Sequence, residues 1–208
     1  MDHSNHDWAY LEKFRLANEK LKVYSNENRI VFIGDSIIAG WNEYTLFKKN
    51  PHYINRGING QTTAQILHRF QVDVVDLKAK VAVVLVGTND IAENCGPITL
   101  DEIKENYRSI IDLALVNNIK VILCSILPVS KYYWNPKITS FEKISVLNSF
   151  LKSCSNNKTI SYLDFYHQFK DGDFINTNYF TDGVHPNLIG YTLMSSVFMN
   201  HSTEFLQI

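Results

Sequence analysis

The chain is predicted to fold as an α/β protein with a three-layer α/β/α arrangement, a five-stranded parallel sheet lying between helices. Three features lead there. Short apolar runs alternate with longer segments of helical periodicity five times along the sequence. The runs are continuous rather than alternating, VAVVLV at residues 81–86 and IVFI at residues 30–33, as strands buried on both faces require. Polar, turn-forming groups stand directly behind three of them: Gly34-Asp35-Ser36, Asn55-Arg56-Gly57 and Gly87-Thr88-Asn89-Asp90.

In chain order, residues 7–21 are expected as a helix, with Asp7 as a cap and Tyr10, Phe14, Ala17 and Leu21 near one face. Residues 29–33 form the first strand and residues 53–56 a short second one. Residues 62–78 read as a helix because Ile66, Phe70, Val74 and Leu77 recur at helical spacing. Residues 81–86 form the strongest strand. Thr99-x-x-Glu102 is a capping box before Ile103, Tyr107, Ile110, Ile111 and Ala114, and Asn117-Asn118 ends that helix. Residues 120–127 form a fourth strand, closed by Pro128, and the loop 129–138 holds Tyr132, Tyr133 and Trp134. Thr139-x-x-Glu142 is a second expected capping box, before Ile144, Leu147, Phe150 and Leu151. Residues 160–165 make the fifth strand, and residues 187–199 a last helix with Leu188, Tyr191, Met194 and Phe198. Right-handed crossovers are the default for each unit; strand order does not follow from one sequence, although the flavodoxin-like order 2-1-3-4-5 would set the first strand beside a switch point.

Composition narrows the class. The 208 residues suit one domain, 1–208, with a substantial core; 45% are hydrophobic and 20% charged, as in a globular chain. A net charge of −1 gives no reason to expect nucleic acid or an anionic membrane surface as a partner. No apolar run approaches the roughly 18 residues of a membrane span. The start, MDHSNHDWAY, lacks the basic and apolar regions of a signal peptide, so a cytoplasmic location is expected, or a secreted or periplasmic one if a leader has been removed. Cys95, Cys124 and Cys154 are too widely spaced for a zinc pattern or disulfide framework; Cys124 and Cys154 read as core residues.

The polar groups behind the strands carry the functional reading. In a parallel sheet all of them lie on one rim, where open α/β sheets place their ligands. Gly-Asp-Ser by itself is also an ordinary turn. Near the C-terminus, however, Asp182-Gly183-Val184-His185-Pro186 sets a carboxylate three residues before an imidazole. These parts fit acyl transfer. Ser36 would be the nucleophile, which needs a base to take its proton. His185 would be that base and then the acid for the leaving group, and Asp182 would fix its tautomer. The Ser36 N–H, the Gly57 N–H and the Asn89 side-chain amide would be the oxyanion donors, Gly57 being valued for close approach of its backbone to a ligand. Asp35 and Asp90 read as turn residues. The other histidines, His3, His6, His52, His68, His167 and His201, stand in no comparable motif and are expected at the surface.

At this point the chain resembles the SGNH, or GDSL-like, hydrolase superfamily, whose four blocks centre on a Ser, a Gly, an Asn and a His. Here they match Ser36 in GDSI, Gly57 in NRGINGQTT, Asn89 in GTND, and Asp182 with His185 in DGVHP. The resemblance spans about residues 29–190, and its only departure in the first block is Ile37 where the name-giving pattern has Leu. It implies the SGNH hydrolase fold and a small acylhydrolase working through an acyl-enzyme. It also implies a short acyl group on a small-molecule ester, of a carbohydrate or of a lysophospholipid, with no cofactor and no metal. Monomer and homodimer stay open, as does an acyl thioesterase of the same mechanism.

Two readings of other classes compete. In a metal-dependent phosphoesterase, Asp35, Asn89, Asp90 and His185 would be ligands, although the sequence has no paired-ligand spacing such as His-x-x-x-His. In a non-catalytic carbohydrate-binding protein, Trp41, Tyr132, Tyr133 and Trp134 would be stacking platforms. An α/β-hydrolase fold is disfavoured, because no Gly-x-Ser-x-Gly elbow surrounds Ser36.

Overall fold

The computed structural model describes residues 7–23 and 28–206. A 3₁₀ turn, Leu11–Phe14, leads into α1 (Arg15–Val23), and β1 (Ile30–Gly34) runs straight into α2 (Ser36–Trp41). After α3 (Thr45–Lys48) come β2 (Tyr53–Gly57), α4 (Thr63–Phe70) and β3 (Val81–Leu85). They are followed by α5 (Thr88–Ile91), α6 (Leu100–Val116), β4 (Lys120–Cys124) and α7 (Phe141–Ser153). β5 (Ile160–Leu163) completes the sheet; a small hairpin of β6 (Lys170–Asp171) and β7 (Phe174–Ile175) precedes α8 (Leu188–Leu206).

The five-stranded sheet is parallel throughout, in the flavodoxin-like order β2-β1-β3-β4-β5. Successive side chains of a strand point to opposite faces, which gives the protein two apolar layers. Val31, Ile33, Ala82, Val84, Val121 and Leu123 pack with Ile66, Phe70, Ile103, Ile110 and Leu147 from α4, α6 and α7. Ile30, Phe32, Val81, Val83 and Ile122 pack with Ile38, Trp41, Met194 and Phe198 from α2 and α8. Both faces are covered, hence the continuous apolar strands. No helix among the described residues is long and apolar enough to cross a membrane.

Several local expectations are corrected. Asp7 does cap, accepting from Leu11 and Glu12 N–H at 2.7 and 2.9 Å, but on α1 it is Asn18 that is buried while Ala17 is exposed. The helix expected to Lys78 leaves α geometry after Phe70 for a π-type turn, Gln71–Val75, which brings Asp73 against Arg69. β4 ends at Cys124: Ser125 N–H still donates to the Leu163 carbonyl, but Asn148 then takes both backbone groups of Ile126, accepting from its N–H at 2.8 Å and donating to its carbonyl at 3.0 Å. β5 stops at Leu163, with the Ser125 hydroxyl accepting from Tyr166 N–H. The Thr99–Glu102 capping box forms; the Thr139–Glu142 box does not, as Ser140 sits at the cap and its hydroxyl turns to the Val129 carbonyl.

Candidate active site

Ser36 is the first residue of α2, so its position follows from the abrupt end of β1. Asp35 caps the helix, accepting from Ile37 N–H at 2.9 Å. In register, Gly34 stands beside Gly57 on β2 and Leu85 on β3, which puts the groups behind all three strands on one edge of the sheet. The loop with Asp182 and His185 is clamped onto the same edge. Phe180 and Pro186 form an antiparallel bridge, Thr181 N–H donates to the His185 carbonyl at 2.9 Å, and Asn187 then caps α8. Gly183 in this loop has φ 82°, a left-handed conformation that glycine adopts without strain, and a Cβ there would fall on the Ser130 hydroxyl.

The loop brings His185 Nε2 to 2.9 Å from Ser36 Oγ and His185 Nδ1 to 2.7 Å from Asp182 Oδ2. The second Asp182 oxygen accepts from the Val184 and His185 backbone N–H groups at 3.0 and 2.8 Å. Burial pushes the Asp182 carboxyl up, but the bonds it accepts from His185 and Val184, with the attraction of the imidazole, hold it below the usual carboxylate value. Asp164 and His167 form an identical-looking pair at 2.7 Å, which the sequence reading passed over. What separates the two is the hydroxyl: His185 faces Ser36, whereas His167 has no hydroxyl partner among the described residues. His3 and His6 lie outside the described residues; His68 and His167 are exposed, His52 is partly buried, and partly buried His201 meets Ser161 Oγ at 2.9 Å.

The three expected donors fare differently. The Ser36 N–H, at the start of α2, has no partner among the described residues, as first-turn amides of a helix lack one within it. Asn89 is held at both ends: its Nδ2 donates to the Gln61 carbonyl at 3.1 Å and its Oδ1 accepts from Asn94 Nδ2 at 2.7 Å. One Nδ2 hydrogen stays available, since an amide nitrogen carries two. The Gly57 N–H already donates to Asn55 Oδ1 at 2.8 Å. Its missing Cβ also serves a purpose other than the one expected. A Cβ on Gly57 would overlap the backbone of Ala39 and Ile38, so the glycine admits α2, and with it Ser36, against β2.

Asp35 and Asp90 are both buried; Asp35 makes the local turn bond expected of it, from Ile37 N–H, whereas the Asp90 carboxylate reaches away from its own turn to Thr63. Burial raises the Asp35 carboxyl to about 7, and its Oδ2 finds no partner among the described residues. Asp90 accepts from Thr63 N–H and Oγ1, capping α4 from across the sheet edge; burial raises its carboxyl to about 6. The four residues of the metal reading therefore look to different partners. Among the described residues no group of three or more His, Cys, Asp or Glu side chains is placed to hold a metal ion. Of the proposed stacking platforms, Trp41 and Tyr132 are buried, while Tyr133 and Trp134 are exposed. Cys124 is buried, Cys154 partly so and Cys95 exposed; burial pushes the Cys124 and Cys154 thiols up.

A polar network beneath the site was not read from the sequence. Arg69, fully buried, donates to Asp73 Oδ2 at 2.7 Å, Gln61 Oε1 at 2.6 Å and the Arg56 carbonyl at 2.7 Å, and also to the Gly34 carbonyl. Asn18 links Asp73 to Arg56. The network thus joins the ends of β1 and β2 to Gln61, whose carbonyl holds Asn89. The available signal was a charged pair, Arg69 and Asp73, four apart within the apolar stripe Ile66-Phe70-Val74.

A sequence model of the GDSL-like lipase/acylhydrolase family matches residues 32–193. The chain belongs to this family of carboxylic ester hydrolases, and its sheet order with flanking helices is the SGNH hydrolase fold. It is similar to a crystal structure from Bacteroides fragilis assigned to the acylhydrolases, 39% identical over 96% of this chain and 99% of the other, with a TM-score of 0.89. A GDSL-like lipase from Bacteroides thetaiotaomicron is 35% identical over 94% and 98%, with a TM-score of 0.88. The lipoprotein YqeF of Bacillus subtilis is 35% identical over 88 residues, 41% of this chain and 36% of that protein's length.

Proposed function

We propose that this ester hydrolase cleaves short-chain acyl esters through a Ser36 acyl-enzyme, with His185 as base and acid and Asp182 as its orienting partner. The observation that carries the reading is the continuous chain from Asp182 Oδ2 through His185 to Ser36 Oγ, 2.7 and 2.9 Å long. Ser36 Oγ attacks the ester carbonyl carbon while its proton passes to His185 Nε2. Negative charge then collects on the carbonyl oxygen, where the Ser36 N–H and the spare Asn89 Nδ2 hydrogen are the donors in place. The Gly57 N–H joins them when the oxyanion displaces Asn55 Oδ1. Collapse expels the alkoxide, which takes the proton from His185 and leaves as the alcohol. Water, deprotonated by the same imidazole, then releases the acid and restores Ser36.

A short acyl group is supported by where the apolar space lies. The cavities walled by Leu46, Tyr53 and Met199, and by Ile30, Val81 and Leu206, gather at the starts of the strands, the edge opposite Ser36. Treatment with a fluorophosphonate, followed by peptide mass analysis, tests the assignment: one adduct on Ser36 is expected, with loss of p-nitrophenyl acetate hydrolysis. Hydrolysis that continues in protein fully labelled at Ser36, or is retained by Ser36→Ala, would overturn it.

A further inference from the structure

Beside Asn89 the surface opens into a cavity of about 540 Å³ whose wall includes Tyr10, Asn59, Glu93, Asn94, Trp134 and Asn135. We propose that this cavity is a saccharide subsite, so that the ester's alcohol is a sugar hydroxyl; the inference rests on the acyl-enzyme reading above. The cavity adjoins the reacting centre through Asn94, which donates to the oxyanion donor Asn89, and through Asn59, two residues past Gly57. Its chemistry suits a polyhydroxylated ligand. The amides of Asn59, Asn94 and Asn135 and the Glu93 carboxylate supply donors and acceptors, and Trp134 and Tyr10, 48% and 53% exposed, offer faces for the C–H side of a sugar ring.

The walls are held before any ligand arrives. Trp134 Nε1 donates to Asn94 Oδ1 at 2.8 Å, its ring leans on buried Tyr132 with centroids 5.3 Å apart, and Asn135 Nδ2 donates to the Ala92 carbonyl at 3.0 Å. The opposite wall is pinned from the start of α4 and the turn before it: Gln65 and Gln61 donate to the carbonyls of Trp8 and Ala9, each at 2.8 Å. Tyr10 and Glu93 both adopt left-handed backbone conformations, φ 57° and 60°, which cost energy in large side chains and concentrate at ligand sites.

The test compares acetate release from partially O-acetylated maltose, cellobiose and xylobiose with hydrolysis of p-nitrophenyl acetate, in the wild type, Tyr10→Ala and Trp134→Ala. At least one disaccharide should be a substrate. The ratio of its kcat/KM to that of the aryl ester should fall about tenfold in each variant, mainly through KM, the scale of one lost contact. Trp134→Phe, which keeps a ring, should restore most of the saccharide KM. A ratio unchanged in both alanine variants, or aryl ester hydrolysis with no acetate released from any disaccharide, would overturn the subsite and leave the acyl-enzyme reading standing. Inactivity on every ester would overturn both.

Discussion

Asn94 Nδ2 donates to Asn89 Oδ1 at 2.7 Å, and with Asn89 Nδ2 on the Gln61 carbonyl it fixes the orientation of the Asn89 amide. Asn89→Ala should lower kcat on p-nitrophenyl acetate by about 10²–10³-fold with little change in KM, the scale of one lost oxyanion donor. Asn94→Ala leaves the donor but releases its orientation, so a smaller loss in kcat is expected. Steady-state kinetics of both variants checks the order; an unchanged kcat in folded Asn89→Ala would remove that residue from the mechanism.

Gly57 is the point where α2 rests on β2. A Cβ there overlaps the Ala39 backbone, so Gly57→Ala must displace the helix that begins with Ser36. A stability loss of about 1–3 kcal/mol is expected from such overpacking, together with a lower kcat. Denaturant unfolding and kinetics on the same sample would show both; wild-type values for both would mean that the close contact is not a constraint.

Burial raises the Asp35 carboxyl to about 7 from an ordinary value of 3.8. The folded protein therefore holds a proton that the unfolded chain releases between about pH 4 and 7, and stability falls as pH rises through that window. Asp35→Asn retains an oxygen for the Ile37 cap and removes the ionisation. Relative to wild type it should gain stability on going from pH 5 to pH 8, by an amount of order ~1–3 kcal/mol. Urea unfolding at the two pH values measures the difference, and an equal or opposite trend would contradict the assignment.

Arg69 and Asp73 are a fully buried pair that also ties the ends of β1 and β2. Asp73→Asn strips the guanidinium of its counter-charge and should cost about 3–5 kcal/mol. A loss below about 1 kcal/mol in urea unfolding, typical of exposed pairs, would contradict this account of the network.

The parallel sheet was legible because VAVVLV and IVFI read as strands buried on both faces, but its order was not, since the same local runs fit any order of the strands. Ser36, Asn89, Asp182 and His185 were legible because each follows a strand or stands in a short acid–imidazole spacing. The short helices α2, α3 and α5 were not, since four to six residues carry too little periodicity to register. The failed Thr139 box shows the same limit: Thr-x-x-Glu permits a cap, but the contact of Ser140 with Val129, distant in sequence, decided it. Asn94, Trp134 and Tyr10 come from separate stretches and meet only in three dimensions, so no local pattern announces the cavity they line.

The central claim is that Ser36 and His185 act on one proton, and the most direct measurement is kcat for Ser36→Ala, His185→Ala and the double variant on p-nitrophenyl acetate. Residues acting as a unit show strongly non-additive effects. The account predicts that the double variant is about as slow as Ser36→Ala alone. A double variant slower by the full product of the two single losses would contradict it, because the serine and histidine would then act independently despite the 2.9 Å between them.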